Sequence, residues 1–268
     1  MPNVSGFPNL GTQLVSNQEF IGIVPPANAR FTIASEEIVA RRETSPASFG
    51  SDEVRVRVRA YPVTVSGTEL VLGAEQAFDS PEFGDMDSGD RRAMVAVLFS
   101  HQTPIDGVVM TIMGHEIDSE KAYRDQINSF TDAFLHYMKI ALAAVGVGAG
   151  AAALAIGLKD LLLLGLAHPI ILAIAAAVLI AVVLILSAWA PADPIIADTL
   201  GFTSIDLAAL TNANLPLPLA SEAPSIEDIK VKTVPLSKGA NEYHERREYI
   251  SSAEDSRYEI ILRYNRVA

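Results

Sequence analysis

The chain has 268 residues, 50% hydrophobic and 19% charged, and its 32 acidic against 20 basic side chains leave a formal charge of −12. That balance argues against a nucleic-acid partner, which needs clustered Lys and Arg to neutralise phosphates. The absence of cysteine excludes disulfides, thiolate metal ligands and thiol nucleophiles.

Residues 1–30 are rich in Pro, Gly and Asn and read as an extended arm. They hold neither a basic n-region nor an apolar h-region, so no Sec signal peptide is expected. The segments RFTIASEEIVARRET and SDEVRVRVRAYPVTV follow. The second is the clearest strand in the sequence, with Val54, Val56 and Val58 on one face and Arg55, Arg57 and Arg59 on the other. The three arginines are either an anion site or, as is commoner, a face that is solvated or paired with carboxylates across the sheet. VSGTELVLG supplies a turn and a short strand, FDSPEFGDMDSGDRR reads as an acidic loop, and AMVAVLFS reads as a buried strand. PIDGVVMTIMGHEID is ambiguous between strand and helix.

From Asp118 the period changes. Tyr123, Ile127, Phe130, Phe134 and Met138 recur at three- and four-residue steps, predicting an amphipathic helix. It leads into two uncharged stretches, 140–158 and 170–189, the first bounded by Ile140 and Leu158, the second running from Ile170 through Leu179 to Trp189. At ~1.5 Å per residue each is long enough to cover the ~30 Å of a bilayer core. The short connection, with Lys159, Asp160 and His168 at its tip, predicts an antiparallel helical hairpin. Gly146 and Gly150, at G-x-x-x-G spacing, are candidate helix-packing positions. In one feature, an apolar hairpin enclosed by amphipathic helix, residues 118–190 are similar to the pore-forming colicins. No colicin motif is matched, and the β-rich remainder departs from the all-helical colicin domain.

Beyond Trp189, prolines break the helix, TSIDLAAL predicts a short helical turn capped by Thr203 or Ser204, and LPLPLASEAPS reads as a linker. IEDIKVKTV reads as a strand and SKGANEYHERREYISSAEDS as a polar excursion. In RYEIILRYNRVA, Tyr258, Ile260, Leu262 and Tyr264 share one face of a closing strand.

Motifs for chemistry are sparse. Asp85, Asp87 and Asp90 are weak calcium candidates, because Gly89 falls one position early for an EF-hand loop and Ala96 stands where a bidentate Glu is needed. Ser119 stands four residues after His115, so there is no H-E-x-x-H site. No G-x-S-x-G elbow or phosphate loop occurs. No catalytic residue, cofactor or metal is expected. His115, His136 and His168 are candidate pH triggers, since histidine charges near pH ~6.5.

These readings predict an α+β fold. A sandwich-like β-rich domain, 31–117 and 191–268, is interrupted at 118–190 by a long amphipathic helix and the apolar hairpin. The function they suggest is a non-enzymatic, membrane-inserting, pore-forming toxin-like or effector-like protein that is membrane-associated. Its expected partners are a lipid bilayer, further copies of itself, and a protein partner or delivery machinery. The alternatives are a constitutive two-span anchored protein with a partner-binding β-domain, or a structural or cargo protein whose hairpin is shielded in an assembly.

Overall fold

A computed structural model describes residues 28–44, 52–66, 69–102, 104–116, 194–214, 229–252 and 255–267. In chain order the described elements are β1 (Arg30–Arg42), β2 (Asp52–Ser66), β3 (Glu69–Leu72), β4 (Gln76–Asp79), β5 (Phe83–Met86), β6 (Arg91–Gln102), β7 (Gly107–Glu116) and β8 (Pro194–Thr203). They are followed by α1 (Ser204–Leu210), β9 (Ile229–Lys238), β10 (Glu242–Ser251) and β11 (Ser256–Val267).

Alternation builds most of these strands. Val54, Val56 and Val58 of β2 are fully buried, as are Tyr258, Ile260 and Leu262 of β11, while Arg55, Arg57 and Glu259 alternate with them on the opposite faces. Sheet I runs β6-β1-β11-β10-β9. Sheet II runs β3-β2-β7-β8, with β4 and β5 also pairing with β2. Every described pairing is antiparallel. Inward residues of both sheets form one core, with Phe31, Phe99, Tyr249 and Tyr258 from sheet I against Val58, Met110, Ile112 and Ile196 from sheet II.

Along one side of β2 the partner strand is broken into three pieces. The break between β4, which reaches Ala60, and β3, which begins at Val63, falls at Pro62, whose ring nitrogen has no proton to give. Gly73 fills that corner: its N–H donates to the Pro62 carbonyl at 2.7 Å, and a Cβ there would stand 2.6 Å from Pro62 Cγ.

β7 and β8 are neighbours, with Gly107 opposite Thr203 and His115 opposite Pro194. Residues 117–193 therefore connect adjacent antiparallel strands, and the chain re-enters sheet II beside the point where it left. Strands from both sides of that segment share each sheet.

The α+β assignment is corrected. The described chain is almost wholly strand in antiparallel sheets. α1 is its one helix, and no long amphipathic helix or helical hairpin occurs among the described residues. The membrane-inserting, pore-forming toxin-like or effector-like function is corrected on the same ground. Among the described residues no helix is long and apolar enough to cross a membrane, and a β-rich architecture does not fit a helical-hairpin inserter. The two-span anchor and the shielded-hairpin cargo protein rest on that same hairpin and go with it. Apolar length carried those expectations, whereas period-two alternation carries the described fold. Ile140, Gly146, Gly150, Leu158, Lys159, Asp160, His168, Ile170, Leu179 and Trp189, with His136, lie outside the described residues.

Candidate interaction surface

The interior holds a charged cluster that bridges the sheets. Arg247 of β10 donates from Nε to Asp198 of β8 at 2.5 Å and from an η-nitrogen to Glu245 at 3.0 Å. The Tyr249 hydroxyl donates to Asp198 at 3.2 Å and the Tyr264 hydroxyl to Glu245 at 2.6 Å. Burial alone would disfavour the Arg247 charge, but Asp198 and Glu245 outweigh it and hold the guanidinium well above its ordinary pKa. Burial, then the nearby carboxylates, pushes both tyrosines far up, so they stay protonated donors. Each carboxylate is thus matched to donors that do not exchange protons near neutrality. The cluster joins two sheets and offers no group poised for proton transfer.

On the outer face of sheet II the pairing expected for the three arginines is found. Arg55 reaches Glu82 at 3.0 Å, Arg59 reaches Glu75 at 3.1 Å and Asp79 at 3.2 Å, and Arg57 also pairs with Asp79. Burial would raise the Asp79 pKa, but Arg59 and Arg57 together lower it. Asp79 and Glu82 come from the stretch read as an acidic loop, part of which folds as β4 and β5 beside β2, and Glu75 lies just before it. Of the calcium candidates, Asp90 accepts from Arg92 at 2.8 Å and its N–H donates to the Asp87 carbonyl in a tight turn through Gly89 (φ 102°). Among the described residues no group of three or more acidic or histidine side chains is arranged to hold a metal.

His115, near the end of β7, is 1% exposed. Burial, with a smaller contribution from Arg57, lowers its pKa to about 4. The unfolded chain takes up this proton near pH ~6.5 while the folded protein does not. Stability is therefore expected to fall as pH drops from about 6.5 to about 4, by about 3 kcal/mol for this one group. Urea denaturation across that range checks it. A slope that persists unchanged in His115→Leu assigns the effect to other groups.

Sheet I differs in what it exposes. Its β9 edge carries Lys230, Lys232, Pro235 and Lys238, which discourage strand addition. Its β6 edge carries the uncharged run Ala93–Leu98, in which Val95 is 80% and Val97 64% exposed. Bulges lie on either side of Ala96 and Val97 in the pairing with β1, and the Ser35 hydroxyl donates to the Met94 carbonyl at 2.5 Å. The far end of β6 is closed: the Gln76 side chain donates to the Ser100 carbonyl at 3.0 Å and accepts from the Ser100 N–H at 2.8 Å. The open stretch is thus short and lies between Arg91/Arg92 and Ser100.

Comparison with protein-family models, with curated proteins and with solved structures finds no match. The site must therefore be argued from its own chemistry. Sequence reasoning singled out His115, Asp85, Asp87 and Asp90, which the fold does not gather into one site. It passed over Val95 and Val97, because AMVAVLFS reads as a buried strand, and over Arg247, inside a segment read as a polar excursion. A signal for β10 was present: Tyr243, Glu245, Arg247 and Tyr249 recur with period two, and all four are buried.

Proposed function

We propose that this protein is a non-enzymatic interaction module that self-associates through the open stretch of β6. The observation that carries this reading is the contrast between the two edges of sheet I. One is fenced by three lysines and a proline, while the other presents two exposed valines on an uncharged run. A second copy approaching about a two-fold axis near Val95 sets Val95 against its own counterpart and Val97 near the partner's Ala93. The main-chain groups along this edge, which no described strand pairs, add hydrogen bonds to that apolar contact. Arg91 and Arg92 fall opposite apolar residues, so no like charges meet directly.

Light scattering over a concentration series tests the reading. The expected mass approaches twice the 28.6 kDa of one chain, and Val95→Asp is expected to weaken association by about tenfold or more. A wild-type mass that stays at 28.6 kDa at the highest concentrations rules it out.

A further inference from the structure

The outer face of sheet I places two carboxylates under a layer of cations. Glu248 of β10 and Glu259 of β11 stand directly opposite one another, an arrangement that is destabilising if left uncompensated. Arg257 reaches Glu248 at 2.8 Å, Arg246 reaches it at 3.0 Å, and Arg41 of β1 reaches Glu259 at 2.9 Å. The glutamate side chains are only 3% and 2% exposed, whereas those of Arg257, Arg41 and Arg246 are 45%, 35% and 28% exposed. Solvent therefore meets the guanidinium groups and not the charges beneath them.

Two further cations extend this layer without neutralising any described carboxylate. Lys230 and Lys232 of β9 are exposed and form no ion pair with a described residue. The register sets Lys232 in one row with Glu248 and Glu259, and Lys230 in the next row with half-buried Ile250 and Arg257. Five cations over two carboxylates leave three positive charges in surplus, on a chain whose net charge is −12. Such local fields act within about 8 Å at physiological ionic strength, so the face attracts anions despite the overall charge.

We propose that this cationic face of sheet I is a docking site for an acidic polypeptide segment in extended conformation. Residues two apart on a strand lie about 6.8 Å apart, the repeat at which Lys230 and Lys232 follow each other. A segment running alongside with acidic residues at alternate positions sets successive carboxylates against successive cations. Arginine forks match carboxylate geometry. Held from below by Glu248 and Glu259, they lose less side-chain freedom on binding than free arginines. Ile250 offers a small apolar contact between Lys230 and Arg257 in their row.

Fluorescence anisotropy with a labelled peptide of alternating Glu and Ser tests this, with a Gln/Ser peptide as control. The Glu/Ser peptide is expected to bind the full chain and to weaken steeply with added salt, and the Gln/Ser peptide is expected not to bind. Lys230→Glu combined with Lys232→Glu is expected to weaken binding by about tenfold or more. Lys230→Gln with Lys232→Gln is expected to give a smaller loss, which guards against a folding defect in the first variant. Equal binding of both peptides, or affinity unchanged in both double variants, overturns the proposal. So does lysine-dependent binding to phosphatidylserine vesicles without binding to the peptide, which assigns the face to headgroups. Because the readout is peptide affinity, it is independent of whether β6 self-associates.

Discussion

Arg247→Met is expected to cost about 3–5 kcal/mol of folding stability at neutral pH, because it leaves Asp198 and Glu245 buried without their shared counter-charge. Replacing the whole cluster with apolar groups need not be costly, but removing one partner is. The two carboxylates then keep hydrogen bonds from tyrosine hydroxyls, those of Tyr249, Tyr264 and Tyr243, with no counter-charge among these partners. Tyr249→Phe, which removes one hydrogen bond to a charged group, is expected to cost about 1–3 kcal/mol. Urea denaturation of the wild type and both variants at neutral pH checks this. A deficit below about 1 kcal/mol for Arg247→Met contradicts the inter-sheet lock.

Gly114→Val is expected to destabilise by about 3 kcal/mol, at the upper end of the usual cost of overpacking. Gly114 of β7 lies opposite Ile196 of β8, and even a single Cβ there would stand 2.8 Å from both the Cβ and Cδ1 of that isoleucine. Ile196 is fully buried, and its Cβ is fixed to the backbone, so the strands themselves must part. The contact also holds together the two strands that residues 117–193 connect. Ile196→Ala keeps the Cβ contact but removes those with Cδ1 and Cγ1, so it relieves part of the clash while opening space of its own. The double variant is therefore expected to lose less than the sum of the single losses in thermal and urea unfolding. Strict additivity contradicts direct packing of the two residues.

Legibility in the sequence followed the number of faces each strand buries. β2 and β11 each show one charged and one apolar face, and their alternation reads directly. α1 is also where TSIDLAAL places a helical turn. β7 is buried along nearly its whole length on both faces, so GVVMTIMGHE gives a continuous apolar run with no period to choose between strand and helix. The two prolines of APADPIIADTLGF read as a helix break, yet Pro194 is the first residue of β8, where a missing N–H is tolerated. β10 was hidden by the opposite effect. Its inward charges satisfy one another across the core, a pairing that no local pattern reveals. The candidate surface was the least legible part. Edge position decides whether Val95 and Val97 are core or surface, and edge position depends on pairing with β1, more than 50 residues upstream.

The absence of native cysteine permits a direct test of self-association at β6. Val95→Cys introduces the sole thiol in the chain, and a residue close to a two-fold axis meets its own copy within disulfide reach, about 4.4–6.8 Å between Cα atoms. Mild oxidation at low protein concentration is expected to give a covalent dimer of Val95→Cys and to leave Lys230→Cys, on the fenced β9 edge, monomeric. A Val95→Cys protein that stays monomeric while Lys230→Cys cross-links contradicts assembly through β6 and places the contact on the opposite edge.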